Sequence, residues 1–191
     1  MSVRGFRSVL DAVAERDGIR LTFDDGNASD CAVALPELLA RGLRATFFVV
    51  AGRIDQPHFL SSGAIRELLD AGMDVQSHGM QHRVWRGLDA ARLDMELVRA
   101  RAVIEDVVAR PVDEVAIPYC LYDRRVLGAL RKADYRHVFT CDGGPADPGA
   151  WLQARTQISA GDDGRKVAEI VSPPLLTRLA IALKKPVKRW R

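Results

Sequence analysis

The hydrophobic and polar positions of this chain follow two alternating patterns, one typical of buried strands and one typical of helices. Short apolar runs rich in β-branched and aromatic residues indicate strands covered on both faces, and apolar residues that recur every three or four positions indicate helices with one buried side. The predicted strands are 20–23, 45–50, 73–76, 114–117 and 137–140, with a candidate sixth strand at 155–158. The predicted helices are 6–14, 29–41, 62–71, 89–109, 123–133 and 162–171.

The alternation of strands and helices predicts an α/β fold with a parallel sheet and helices packed outside it. The polar motifs follow directly after predicted strands, which is where (β/α) barrels keep their chemistry. An eight-stranded barrel typically takes about 250 residues, so the 191 residues present predict a distorted or incomplete (β/α) barrel. A doubly wound open sheet is the alternative that the pattern allows. Residues 1–174 are predicted to form a single domain.

The composition is that of an ordinary globular domain. Apolar residues make up 48% of the chain and charged residues 28%, and the net charge of +3 comes from basic residues scattered among acidic ones. This distribution does not favour nucleic-acid binding. Three cysteines without a close pair predict no disulfide framework and indicate a reducing compartment. Charges interrupt residues 1–18, which do not resemble a signal peptide, and no apolar run is long enough to span a membrane, so a cytoplasmic location is expected.

The C-terminal segment 175–191 is set apart by its charge and its apolar residues. It places leucine and isoleucine residues beside a cluster of lysine and arginine residues. This basic amphipathic pattern predicts peripheral contact with an anionic membrane surface, because the aliphatic side chains enter the interface and the basic ones pair with lipid charges. A solvated tail that lies over the barrel is the alternative.

Two motifs that follow predicted strands carry residues suited to metal chemistry. Asp24 and Asp25 end the run Leu-Thr-Phe-Asp-Asp-Gly, and on their own they would indicate only a charged turn. His78 and His82 lie in Ser-His-Gly-Met-Gln-His after a later strand, and two imidazoles at this spacing can bind one metal ion. A carboxylate and two histidines form a facial metal site with open positions, and a second carboxylate beside it can act as a base.

Thr-Phe-Asp-Asp-Gly at 22–26 and Ser-His-x-x-x-His at 77–82 together resemble the polysaccharide deacetylase family, which is also called carbohydrate esterase family 4 or the NodB-homology family. Ile-Pro-Tyr at 117–119 resembles the proline-aromatic motif of that family. A softer likeness, at 140–144 and 151–152, is to members linked to bacterial exopolysaccharide synthesis. The resemblance implies a distorted seven-stranded barrel.

The resemblance also implies a role for each polar residue of these motifs. Asp25, His78 and His82 would bind the metal. Asp24 would act as the catalytic base, and the backbone N–H of Tyr119 would stabilise the oxyanion, because the proline before it has no N–H to donate. Nitrogen and oxygen ligands with open positions suit Zn²⁺, although Co²⁺, Mn²⁺ or Fe²⁺ would also fit.

Two positions depart from the family pattern. Ala116 stands where the proline-aromatic motif usually begins with an arginine that orients the base, and Arg155 is predicted to supply that charge from a later strand. The family also usually ends with a Leu-x-His motif whose histidine acts as general acid, but no histidine follows His137. His137 begins a strand, so it should lie at the far end of the barrel in a structural role. His58 lies in the loop after the second strand, on the side of the motifs.

The metal site and base predict a metal-dependent hydrolase. The resemblance implies that it removes the N-acetyl group from an acetylated sugar in a polysaccharide or its precursor. The absent histidine leaves a second hypothesis open, a metal-retaining saccharide-binding protein with little or no turnover. Hydrolysis of an O-acetyl ester or a cyclic amide on the same scaffold is a third. Trp85 has two interpretations, stacking on a sugar ring or packing in the core, and Cys120 and Cys141 are predicted to be small buried thiols.

Overall fold

The computed structural model describes residues 1–172, and its centre is a curled sheet of six parallel strands that forms a half-barrel. The strands are β1 (Leu21–Asp25), β2 (Ala45–Val49), β3 (Asp74–Ser77), β4 (Glu114–Ala116), β5 (His137–Thr140) and β6 (Leu152–Ala154). Each strand pairs in parallel with the next one along the chain. A doubly wound sheet would reverse its strand order at one point, so the incomplete (β/α) barrel is confirmed and the open-sheet alternative is wrong. The described residues contain six strands where the resemblance implied seven.

The helices lie between the strands as the sequence predicts. They are α1 (Val3–Ala14), α2 (Leu35–Leu39), α3 (Ser62–Asp70), α4 (Ala90–Asp94), α5 (Ala100–Val108), α6 (Arg124–Lys132) and α7 (Gly164–Val171). A π-helical segment, Asp30–Ala34, leads into α2, and a second one, Met95–Arg99, joins α4 to α5. Serine or aspartate side chains accept a backbone N–H at the start of several helices, which fixes where those helices begin.

Apolar side chains cover both faces of the sheet. Phe47 and Phe48 are neighbours on β2, and both are fully buried because successive side chains of a strand point to opposite faces. Phe47 belongs to the core beneath the helices, whereas Phe48 packs with Phe139 inside the half-barrel. Guanidinium groups close this interior at both ends: Arg155 lies 5.4 Å from the Phe48 ring and Arg20 lies 4.9 Å from the Phe139 ring.

The amino-terminal ends of the strands meet around a buried carboxylate. Glu114 is only 1% exposed, and its Oε1 atom lies 3.2 Å from Arg20 Nη1, 3.1 Å from Arg136 Nη2 and 2.9 Å from His137 Nδ1. These partners offset the cost of burying a charge. His137 therefore lies at the opposite end of the sheet from the motifs that carry Asp25, His78 and His82, in the kind of structural contact that was predicted.

A disulfide joins Cys120 to Cys141, and this corrects the prediction of free buried thiols without a disulfide. Cys120 follows β4 and Cys141 follows β5, and the carboxyl ends of these neighbouring parallel strands lie at the same edge of the sheet. Their Cα atoms are 5.7 Å apart, within the range that a disulfide spans. The separation of 21 residues gives no local signal in the sequence, so only the packing of the strands reveals the pair.

The last strand is displaced from its predicted position. β6 covers Leu152–Ala154, whereas the candidate sixth strand was placed at 155–158. Gln153 is the buried residue of β6, and its side-chain amide donates to the carbonyl oxygens of Asp147, at 2.7 Å, and Ala150. A polar residue thus occupies the position where the strand pattern would call for an apolar one, which hid the strand from sequence reasoning.

Three further predictions concern residues outside the sheet. Trp85 is fully buried and its Nε1 atom donates to Glu96, so its role is packing and the sugar-stacking interpretation is wrong. Within residues 1–172, no helix combines the length and the apolar character needed to cross a membrane. The predicted tail at 175–191 lies outside the described residues.

Candidate metal centre

Asp25, His78 and His82 meet at the carboxyl ends of β1 and β3. One ligand atom from each residue lies within 4.8 Å of the other two. The Nε2 atom of His82 is 2.9 Å from Asp25 Oδ1, and the Nε2 atom of His78 is 3.9 Å from the same oxygen. Two imidazole nitrogens and one carboxylate oxygen therefore converge, which is a donor set found in catalytic zinc sites.

The backbone around these residues is unusual at several points. Asp25 has a left-handed conformation with φ of 83°, and Gly26 follows with φ of 70°. A Cβ atom on Gly26 would lie 3.1 Å from Cγ1 of Val49, so the turn passes close to β2. His82 is also left-handed, with φ of 49°. At residues other than glycine, such as Asp25 and His82, a left-handed conformation costs about 1–3 kcal/mol, and such residues concentrate at functional sites.

The ring of His78 is fixed in one orientation and one tautomer. His78 is 2% exposed, and its Nδ1 atom lies 2.8 Å from the carbonyl oxygen of Ala116. Because a carbonyl oxygen only accepts, Nδ1 carries the proton and Nε2 keeps its lone pair. Burial lowers the pKa of His78 more than the nearby Asp24 raises it, so the ring is neutral near neutral pH. A neutral imidazole whose other nitrogen is hydrogen-bonded is the form that binds metals.

The surroundings of Asp25 fit a cation. Its Oδ1 atom is buried and accepts no hydrogen bond from the residues that the structure describes. The guanidinium of Arg53 forms an ion pair with this atom at 3.5 Å. A buried carboxylate oxygen without a hydrogen bond is costly, and a divalent ion shared with His78 and His82 would remove that cost. The residues present therefore fit a metal ion.

Asp24 lies beside this group but has different partners. The guanidinium of Arg155 donates to both of its oxygens, from Nη1 to Oδ1 at 2.7 Å and from Nη2 to Oδ2 at 2.8 Å. Its Oδ2 atom is 3.9 Å from His78 Nε2. Burial by itself would raise the pKa of Asp24, but the pKa is held below its usual range, chiefly by the hydrogen bonds and the positive charge of Arg155. Asp24 is therefore an ionised carboxylate at neutral pH.

Arg155 reaches Asp24 across the open side of the half-barrel. It directly follows β6, the last strand of the sheet, whereas Asp24 lies on β1, the first strand, 131 residues earlier. Its Nη1 atom also donates to Thr22 Oγ1 at 3.0 Å, and its backbone N–H donates to the carbonyl oxygen of Thr140 at 2.9 Å. The predicted contact between Arg155 and Asp24 is thus confirmed, and Ala116, where the resemblance implied an arginine, is buried.

Tyr119 borders the site on its exposed side. It lies in a short 3₁₀ turn after β4 with φ of 55°, and Cys120 beside it is also left-handed. The Tyr119 ring lies 4.6 Å from the His82 ring, between centroids, and the residue is 58% exposed. The disulfide to Cys141 ties this turn to the end of β5.

The other histidines do not join the ligand group. The chain has four histidines. His58 is exposed in a loop, and its own backbone carbonyl oxygen accepts the N–H of Ala28. His137 lies at the opposite end of the sheet beside Glu114. None of the four histidines of this chain therefore matches the histidine acid that the resemblance implied.

Three charged residues near the site were not singled out by the sequence. Arg53 pairs with Asp25, and the buried Glu96 holds the loop that carries the histidines. Asp30 is buried, and burial raises its pKa to about 7. The hydrogen bond from the backbone N–H of Asn27 lowers this pKa, whereas the charges of Asp25 and Asp24 raise it further. For Glu96 the sequence did contain one signal: an acid occupies a position on the side of a helix where the pattern calls for a buried apolar residue.

Comparison with known proteins adds a family to this geometry. A family model described as polysaccharide deacetylase matches residues 12–138. YxkH of Bacillus subtilis (strain 168), whose name also refers to a polysaccharide deacetylase, is 26% identical over 148 residues, which are 76% of this chain and 53% of YxkH. The chain therefore spans about half the length of that curated relative.

Solved structures show the same fold. The Streptococcus pyogenes deacetylase PplD in complex with acetate matches with a TM-score of 0.82 and 18% identity, over 90% of this chain and 87% of PplD. IcaB from Ammonifex degensii matches with a TM-score of 0.76 and 23% identity, over 88% of each chain. The half-barrel described above is thus the fold of these proteins.

Proposed function

This chain belongs to the polysaccharide deacetylase family, and on that basis we propose that it is a metal-dependent enzyme that hydrolyses the N-acetyl group of an acetylated sugar in a polysaccharide or its precursor. One observation carries the proposal. Asp24, held ionised by Arg155, lies beside Asp25, His78 and His82, which can share one metal ion. A base and a Lewis-acid site side by side are the two groups that amide hydrolysis by water requires.

Asp25 Oδ1 and the Nε2 atoms of His78 and His82 would hold the ion. We propose Zn²⁺, while Co²⁺, Mn²⁺ and Fe²⁺ suit the same donors. When bound, such an ion supplies a water with a pKa of about 7 and polarises the acyl oxygen.

Asp24 accepts the proton of the attacking water in this proposal. Arg155 binds both carboxylate oxygens and so fixes the plane of the group, while each oxygen keeps a lone pair for a proton. After the attack, the protonated Asp24 is the group that can return the proton to the leaving sugar amine. Without a dedicated acid, the rate would be about 10²–10⁴-fold lower than with one.

Tyr119 supplies the oxyanion contact in the same proposal. Pro118 has no N–H, so the backbone N–H of Tyr119 is the first donor of the turn. The disulfide beside it limits how far this turn can move. The acetate in the PplD complex is the acyl product that deacetylation releases, which supports an acetyl group as the substrate.

The missing histidine favours a second candidate function. A chain that binds metal and saccharide but lacks an efficient acid would be a saccharide-binding protein with little turnover. The same scaffold could also act on an O-acetyl ester, whose alcohol leaving group needs less help from an acid than an amine, or on a cyclic amide.

Acetate release from N-acetylated oligosaccharides tests the proposed function. The Zn²⁺-loaded chain should release acetate and hold about one ion, and a chelator should abolish both. Asp24→Asn keeps the size of the side chain but removes the proton acceptor, so turnover should disappear with the metal retained. Asp25→Asn should lower both turnover and metal content. His58→Ala, an exposed control, should change neither of these two quantities.

Saccharide and metal binding without acetate release from amide or ester substrates would instead establish the binding protein. Acetate release that is unaffected by Asp24→Asn would contradict the assignment of the base.

A further inference from the structure

Glu96 is a buried acid in the middle of a helix. It lies on the segment Met95–Arg99 and is 1% exposed. Its neighbours on the same helical side, Leu93 and Leu97, are apolar and buried, as expected for a core position. An ionised side chain at such a position is destabilising unless it is fully paired.

The loop that carries both histidine ligands provides that pairing. Glu96 Oε2 accepts from the backbone N–H groups of Met80, at 2.9 Å, and Gln81, at 3.2 Å. The same oxygen accepts from Nε1 of the buried Trp85 at 3.3 Å. A carboxylate has no donor of its own and carries charge, so one oxygen can satisfy several N–H groups at once. Met80 and Gln81 lie between His78 and His82, so their direction sets the course of the loop.

The loop also fits closely around this carboxylate. Gly79 has φ of 80°, and a Cβ atom there would lie 2.7 Å from Glu96 Oε2. On the other side of the loop, the backbone of the turn Ala51–Arg53 donates to the carbonyl oxygens of Gly79 and Met80, both at 2.9 Å. Arg83 Nε lies 3.2 Å from Glu96 Oε1 and compensates its charge. The loop is therefore held on both sides, by Glu96 on the side of the helix and by the turn Ala51–Arg53 on the other.

We propose that Glu96 is a positioning residue of the metal centre, whose carboxylate fixes the backbone between the two histidines and thereby places His82 against Asp25. The inference rests on the proposed metal site. His82 has a left-handed backbone, so it keeps its orientation only while the preceding peptides are held. Groups that orient metal ligands typically change metal affinity or activity by 10–100-fold, on the order of what we expect here.

Metal titration of the full chain tests this role without relying on turnover. The chain is stripped with a chelator and titrated with Zn²⁺ alone in a calorimeter, well below its unfolding temperature. Glu96→Ala removes every acceptor and should weaken Zn²⁺ binding by about 10–100-fold. Glu96→Gln keeps the shape and one acceptor oxygen, so this variant should bind Zn²⁺ more tightly than Glu96→Ala does. If the Glu96→Ala chain does not fold, Glu96→Gln takes its place in the test.

Glu105→Gln is the matched control. Glu105 lies in α5, which directly continues the helical segment that carries Glu96. Its Oε1 atom accepts, at 2.9 Å, the N–H of Val112, a residue of the segment before β4. Both Glu96→Gln and Glu105→Gln should lower the unfolding midpoint, but only the former should change Zn²⁺ affinity. A purely structural role for Glu96 would lower the midpoint and leave the affinity unchanged.

A double variant shows whether Glu96 acts through His82. If it does, Glu96→Gln should weaken Zn²⁺ binding much less in a His82→Ala chain than in the wild type, because the ligand that it positions is already gone. Equal weakening in both backgrounds would overturn the inference, as would wild-type affinity in both Glu96 variants. Failure of the wild-type chain to bind Zn²⁺ would instead reject the proposed metal site itself.

Discussion

Asp24 and Asp25 are adjacent in the sequence, yet their contacts suit them to different tasks. Both oxygens of Asp24 face the guanidinium of Arg155. Asp25 instead has a buried oxygen that accepts no hydrogen bond and faces the two imidazoles. The motif predicts that one acid is a ligand and the other a base, but spacing alone does not distinguish them. Arg155 could be predicted because the resemblance implied an arginine at the position of Ala116 and Arg155 offered a charge on a later predicted strand, although the structure places it just after β6.

Glu96 could not be predicted in this way. Its partners lie 15 and 16 residues earlier in a loop, and only the packing of that loop on the helix brings them together. Residues whose function is carried by a local motif were accessible from the sequence, whereas residues that act through tertiary contacts with backbone groups were not.

Substitution of Arg155 should reduce turnover and spare the metal. Arg155→Ala removes both hydrogen bonds that fix the plane of Asp24, and a misplaced base costs on the order of 10²-fold in rate. Arg155→Lys keeps the charge but loses the two-pronged geometry, so it should fall between alanine and wild type. Acetate release and metal content are the two measurements.

Arg20→Ala is the control for this arginine, since Arg20 packs on the same Phe139 ring from the other end of the half-barrel. It should lower stability and leave turnover unchanged. Loss of metal in the Arg155→Ala chain would show that Arg155 supports the ligands and not the base.

The ends of β4, β5 and β6 illustrate which elements were predictable and which were not. The parallel strands with continuous apolar runs, such as β2, were located correctly because burial on both faces leaves a strong pattern. β6 was displaced because its buried residue, Gln153, is polar and satisfied by carbonyl oxygens. The Cys120–Cys141 pair follows from the adjacency of two strand ends, which sequence spacing does not contain.

The disulfide should stabilise the chain and leave only one cysteine free. Alkylation of the folded chain without reductant should label Cys31, and alkylation after reduction and unfolding should label all three cysteines. Because the bond closes a loop of 21 residues, its removal in Cys120→Ser should lower the free energy of unfolding by about 3 kcal/mol. Cys31→Ser is the matched control with an unchanged disulfide. Labelling of three cysteines without reductant would contradict the pairing.

At the scale of the whole molecule, the disulfide bears on where the chain works. The expected cytoplasmic location depended partly on unpaired cysteines, and a disulfide is more typical of oxidising compartments. The cytoplasmic location therefore stays an untested prediction. Contact of segment 175–191 with an anionic membrane is likewise a proposal.

Vesicle binding tests that segment directly. The full chain should bind vesicles that contain anionic lipid, and the binding should weaken as salt rises, because the basic side chains contribute through charge. A chain that ends at residue 174 should keep its fold by circular dichroism and lose the binding. Equal binding by both chains would identify the segment as an ordinary surface tail, and vesicles of neutral lipid provide the control.

The contact between the first and last strands has a consequence for the order in which the molecule becomes competent. The three proposed ligand residues all lie by position 82, and the match to the family model ends at 138, but the arginine that binds the proposed base lies at 155. The residues that would hold and orient the proposed ion, up to Ala116, therefore precede β6, whereas Arg155 can meet Asp24 only once β6 is in place. In the proposed mechanism, metal binding depends on the sheet as far as β4, and turnover depends on its completion by β6.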